Sequence, residues 1–186
     1  MKPKDTLASV LEVFVSALDA AKGEAQGRTV IQNWCYLTSV VLGTPLDFIS
    51  HHYGPYSPTL AGMMTSFATS DFLQEKTRIT GAGRIVYCYE LTPDGKALAR
   101  EIQNRSPDFY RAARKVVETC TEVAKNNINI LSCAAKVYYI LSQKGKSVTY
   151  SEVRRLAKKF GWRLSTEEID SAMELLQALE LAQKET

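Results

Sequence analysis

The chain has 186 residues, 45% of them apolar and 23% charged, with a net charge of +3. That length holds one ordinary domain or two small ones, and the apolar share supplies a core, which argues against global disorder. No apolar run approaches the roughly 20 residues that a bilayer span needs, and the opening MKPKDTL has no apolar stretch beside a cleavage site, so a soluble, cytoplasmic chain without membrane contact is expected.

Residues 5–21 place Leu7, Val10, Leu11, Phe14, Val15 and Leu18 at helical spacing, and Gly23 and Gly27 close the segment. A second helix is predicted from Arg28 or Thr29, carrying Val30, Ile31, Trp34, Cys35, Leu37, Thr38 and Val41 and stopping at Gly43. Its apolar face is wide, which puts it at the centre of the core. Residues 45–53 read as a short helix broken by Gly54-Pro55. Ser57 then serves as an N-cap with Pro58 at the first helical position, opening a helix over 59–72 whose apolar stripe is Leu60, Met63, Met64, Phe67, Phe72 and Leu73.

Two strands follow, 74–80 and 85–91, joined by a GAG turn. Ile85, Tyr87 and Tyr89 alternate with Val86, Cys88 and Glu90, and the Ile-Tyr-Tyr set is the one expected to face the core. Thr92 caps a further helix with Pro93 in its first turn and Ala97, Leu98 and Ile102 facing inward. Helix, helix, hairpin and helix in that order predict a winged helix over 1–105, with 59–72 in the recognition position and the hairpin as the wing.

Ser106-Pro107 marks the seam, and everything beyond it reads as helical: 109–124, 128–141, a basic loop 143–147, and then a pair of short helices. Thr149 with Glu152, and Ser165 with Glu168, have the spacing of capping boxes, and Gly161 separates them. The expected fold is therefore mainly α with a small β-hairpin: a winged helix-turn-helix over 1–105, then a helical domain over 106–186 that contains a second helix-turn-helix.

Charge is distributed unevenly along this plan. Between Lys136 and Arg163 stand eight cations against Glu152 alone, whereas 1–75 and 164–186 are both net acidic. A run of that kind offers phosphate neutralisation, the main source of non-specific nucleic-acid affinity; a solvated helix face is the ordinary explanation of a charge run. The candidate DNA-binding residues are Lys144, Lys146, Arg154, Arg155, Lys158, Lys159 and Arg163, joined by Arg78 and Arg84 in the hairpin. Trp162 has two readings, a support for a phosphate contact or packing beneath the turn. The helix 59–72 carries no lysine or arginine, which is unlike a major-groove reader and favours a protein-binding surface made by Tyr53, Tyr56, Met63 and Met64.

Catalytic and metal chemistry find little purchase. His51 and His52 are the only histidines, neighbours in sequence diverge on regular elements, and no cysteine or carboxylate cluster completes a coordination sphere. Ser50 beside His51 lacks the geometry of a nucleophile with its base, and GAGR is not a phosphate loop. Cys35, Cys88, Cys120 and Cys133 form no C-x-x-C pair and read as free thiols, mostly buried. No enzyme activity, metal or cofactor is expected.

Three segments, IQNWCYLTSVVLG, HHYGPYSPTL and YELTPDGKAL, resemble YwgA-like proteins and, more distantly, the Panacea domain of SocA-type antitoxins. Gln32, Tyr36, Tyr53, Gly54, Pro55, Leu91, Thr92 and Gly95 carry the resemblance, and Asn33 stands where a lysine is usual. It implies a helical, partner-binding module without catalytic residues. The leading functional expectation is a DNA-binding or transcription-regulatory protein, dimeric through one of its long amphipathic helices. The alternative is a protein-interaction module of antitoxin or adaptor type.

Overall fold

The computed structural model describes residues 3–22, 24–79, 81, 83, 85–125, 127–144 and 148–183, with the side chains of 3–8 and 24 excepted. Its elements in chain order are α1 (Pro3–Ala20), β1 (Glu24–Gln26), α2 (Arg28–Val41), β2 (Ile49–His51), β3 (Gly54–Tyr56), α3 (Pro58–Thr69), β4 (Leu73–Ile79) and β5 (Ile85–Leu91). Four of the last five are the helices α5 (Pro107–Ala124), α6 (Ile128–Lys144), α7 (Tyr150–Lys159) and α8 (Thr166–Ala178), which follow α4 (Pro93–Arg105). The molecule is thus mainly helical, with one three-stranded sheet ordered β1-β5-β4 and one two-stranded hairpin β2-β3, both antiparallel.

The helix starts follow local chemistry. Ser57, Thr92, Thr149 and Ser165 each accept a backbone N–H through the side-chain oxygen, and Pro58 and Pro93 occupy first-turn positions where no N–H is needed. The full capping box is formed at Ser165–Glu168; Thr149 accepts from the Glu152 N–H. Gly95 follows Thr92 for a steric reason, since a Cβ there would collide with the Phe72 carbonyl oxygen that also accepts the Thr92 N–H.

Two hydrophobic clusters divide the interior, and α2 and α5 serve both. Ile31 and Cys35 of α2, one turn apart, join Phe14 and Leu18 of α1, Leu60 of α3 and Tyr89 of the sheet. Val30 and Leu37 turn the other way, toward α6 and α8. In α5, Tyr110 and Val117 face the first cluster while Val116 and Cys120 face the second. The wide apolar face expected of α2 has this physical basis. Ser106 ends α4 and Pro107 begins α5, so the chain crosses position 105 without a linker.

Four local expectations are corrected. Residues 45–53 hold no helix: Ile49–His51 pairs with Gly54–Tyr56, and three-residue strands are too short to show periodicity. Strand β1 is missed for the same reason. Met63 and Met64 are buried in the first cluster, because their stripe is the one that holds α3 to the core, and so they present no surface for a partner. In β5 only Tyr89 and Leu91 are buried, while Ile85 and Tyr87 are exposed, because the β4-β5 hairpin projects past the helices that cover its base. Ala97, expected inward on α4, is also exposed, its neighbours Ala99 and Ile102 taking the inner face.

Candidate functional site

The basic segment folds into α7 and the turn after it. Val153, Leu156 and Ala157 bury one side of α7. At 100° per residue this leaves Arg154, Arg155, Lys158 and Lys159 spread over the opposite arc, all exposed, with Ser151 between them. Arg163 is exposed beyond the turn and Lys144 at the end of α6; Lys146 lies outside the described residues. Glu152 is the acid among these cations, its carboxylate 3.6 Å from Arg155 and 3.8 Å from Lys144, loose contacts of the kind that contribute little at a surface. Among the described residues, Arg154, Lys158, Lys159 and Arg163 have no ion-pair partner within 4.0 Å.

The border of this face is acidic. Glu167 and Glu168 occupy the first turn of α8, and Glu167 is held below the usual carboxylate range by its own backbone N–H and the Ser165 hydroxyl, with Arg154 adding to the effect. Tyr150 ties the two helices by donating its hydroxyl to Asp170 at 2.7 Å.

Trp162 is 2% exposed and packs beneath the turn, which decides between its two sequence readings. Its indole Nε1–H donates to the His51 carbonyl at 2.7 Å, and the Lys136 ammonium lies 6.0 Å from its ring centroid. Ser132 donates to the Tyr53 carbonyl, fixing the same turn to α6. The structure therefore brings the Tyr53–Tyr56 turn against the turn that carries Arg163, two features that are far apart in sequence. Tyr53 is 62% exposed, and the His51 and His52 rings lie 5.1 Å from Tyr56 and 4.9 Å from Tyr53 respectively.

Gln32, Asn33 and Tyr36 of α2 support that turn from below. The Gln32 side chain both accepts the Ser57 N–H at 2.9 Å and donates to the Ser57 carbonyl at 3.2 Å, pairing both backbone groups of one residue. The Ser57 hydroxyl donates to Asp47, which also accepts from the Thr59 hydroxyl at 2.7 Å. Burial raises the Asp47 pKa, yet these hydrogen bonds outweigh it and hold the carboxyl below its usual range. Gly54 has φ +131°, where side chains are strained, and a Cβ there would meet the Asn33 oxygen at 3.5 Å and the Lys136 stem at 3.6 Å. Tyr36 is buried against Phe48, Tyr138 and Tyr139. The residues that carry the sequence resemblance thus converge on one contact between α2 and the β2-β3 hairpin, and on the cap of α4.

The β4-β5 hairpin forms a different surface. Arg78 is exposed on the face it shares with Lys76 and Val86, and Arg84 lies outside the described residues. The opposite face carries Ile79, Ile85 and Tyr87, which are 72%, 64% and 48% exposed. At its base, Arg28 donates to the Tyr89 hydroxyl at 2.7 Å and to Glu75 at 3.1 Å; burial and the hydrogen bond with Glu75 push the Tyr89 phenol up to about 12. The exposed apolar end escapes sequence reading because alternation fixes which residues share a face, not where the helices stop covering it.

The outer side of α3 is small and neutral: Thr65, Ser66 and Thr69 donate their hydroxyls back to helix carbonyls. Among the described residues no three His, Cys, Asp or Glu side chains group to hold a metal, and no helix is long and apolar enough to cross a membrane. Cys35, Cys120 and Cys133 are buried and Cys88 half-buried, all as free thiols. No family model matches the chain, and no curated protein matches it.

Proposed function

We propose that this chain is a nucleic-acid-binding regulatory protein that holds the phosphate backbone on the outward face of α7. The observation that carries the reading is the exposed set Arg154, Arg155, Lys158 and Lys159 on one helix arc, continued by Arg163, with Glu152 alone among them. Five unburied cations on so short a segment neutralise phosphates without sequence preference, and exposed Tyr53 beside the same turn offers a stacking surface.

The fold of the first half supports a winged-helix reading. Helix, short strand, helix, helix and hairpin follow in order, with the small β2-β3 hairpin inserted between α2 and α3, and the short strand β1 pairs with the second strand of the β4-β5 hairpin, giving β1-β5-β4. In this reading α3 holds the recognition position, but its neutral outer face suits it poorly to base reading. The acidic first turn of α8 argues equally against that helix as a reader, which leaves α7 as the contact.

A protein-binding role for the first half is the second reading, and one observation favours it: the hairpin exposes Ile79, Ile85 and Tyr87 on a single face. The long helices α5 and α6 turn most of their large apolar side chains into the two clusters, so a homodimer, if formed, would draw on this hairpin rather than on them.

The test is fluorescence anisotropy of labelled duplex and single-stranded DNA at low salt, with the chain and with a variant in which Arg154, Arg155, Lys158 and Lys159 are all Gln. All four are exposed, so the substitutions remove no buried contact. The expected result is duplex binding by the parent and a loss of roughly tenfold or more in the variant. Absence of parent binding to either DNA, or equal binding by both chains, overturns the reading.

A further inference from the structure

A cavity of about 680 Å³ opens where the two hydrophobic clusters meet, between the end of α1, β1, the start of α2, α5 and the start of α6. We infer that it binds a small, uncharged, largely apolar organic molecule. Its volume falls within the roughly 300–1,000 Å³ of small-molecule sites, and no α7 residue lines it, so this assignment does not rest on nucleic-acid binding.

The chemistry of the walls selects the ligand. Val30, Cys120, Ala124 and Leu131 are buried side chains in the wall, and half-buried Trp34 packs against both clusters. Burial pushes the Cys120 thiol up to about 12, so it carries no charge at neutral pH. Among the described residues, the buried polar atoms without partners, on Ser16, Asn33 and Thr38, belong to residues that do not line this space. Water resting on these apolar side chains is weakly held and is displaced favourably by an apolar group. At the mouth, Lys22 and Arg114 oppose Glu118 and Glu122, and Arg114 donates to Glu118 at 2.7 Å. The rim charges cancel, which favours an uncharged ligand over an anion or cation. Ile128, 45% exposed at the first position of α6, extends the apolar surface to the opening.

Titration of the full chain with N-phenyl-1-naphthylamine, a neutral apolar fluorophore, tests this directly. Trp34 lines the cavity and Trp162 is buried away from it; the probe absorbs where tryptophan emits, so quenching by energy transfer reports bound probe and the cavity variants locate it. The expected result is saturable one-to-one binding with quenching, weakened roughly tenfold or more by Ala124→Phe, which fills the interior, and by Ala21→Phe, which narrows the half-buried mouth. The double variant Ile79→Ser, Ile85→Ser removes the exposed hairpin patch and is expected to leave binding unchanged. The inference is overturned by non-saturable binding, by unchanged affinity in a cavity variant that melts as the parent does, or by loss of binding in the hairpin variant.

Discussion

Asn33 is 1% exposed, and neither its side-chain oxygen nor its nitrogen has a hydrogen-bond partner among the described residues. A buried amide left unpaired costs about 1–3 kcal/mol, and leucine matches its size and branching without polar atoms. Asn33→Leu is therefore expected to raise the unfolding free energy by that amount, read as a higher urea midpoint with an unchanged slope. A lower midpoint would mean that the amide is satisfied by a partner in solution. Gln32, one position earlier, is the opposite case: its amide is also buried, but both ends are used on Ser57. Sequence alone does not separate these two neighbours, because the difference lies in which backbone group the β2-β3 hairpin brings to each.

At the scale of single elements, the start of α3 depends on one carboxylate. Asp47 accepts from the Ser57 and Thr59 hydroxyls and from the Thr59 N–H, and its pKa is lowered from the ordinary 3.8. A carboxyl whose folded pKa is depressed contributes stability that is fully present above its unfolded pKa and is lost as pH falls through the folded value. Asp47→Asn is thus expected to be less stable than the parent at pH 7, with the gap closing below pH 3.8. Thermal melts from pH 7 to pH 2 check this; a gap that stays constant would place the loss elsewhere. Elements with strong end signals were legible in the sequence: Ser57-Pro58, Thr92-Pro93 and Ser165 with Glu168 mark three helix starts that the structure places at the same residues. The strands Ile49–His51 and Glu24–Gln26 were not, since each is held by pairing with a distant or turned segment rather than by its own pattern. The candidate cations were legible as a charge run, and helix geometry puts four of them on one exposed arc. Met63 and Met64 are core where the sequence reads them as surface, because an apolar stripe does not say which side of it the core takes.

The whole molecule is bound together by α2 and α5, each of which supplies side chains to both hydrophobic clusters. Separate unfolding of the two halves would strip one face from each of these helices, so the chain is expected to unfold in one cooperative step. Far-UV circular dichroism and tryptophan fluorescence should give coincident urea transitions; two resolved transitions would mean that the clusters are independent. The same arrangement seats the apolar side of α7 on the second cluster, beside α6, with its basic face outward, while the base of the β4-β5 hairpin stands on the first. The proposed nucleic-acid contact and the exposed apolar surface thus rest on different clusters, and Trp162 bonded to the His51 carbonyl joins the α7 turn to the β2-β3 hairpin.

The central claim, that α7 holds phosphates, is tested most directly by the salt dependence of duplex binding. Each phosphate neutralised adds about 0.9 to the slope of log K against log salt, so removing four contacting cations flattens it by up to about 3.6. The account predicts a steep slope for the parent and one shallower by about 2–3.6 for the variant with Arg154, Arg155, Lys158 and Lys159 changed to Gln. Equal slopes for the two chains would contradict it.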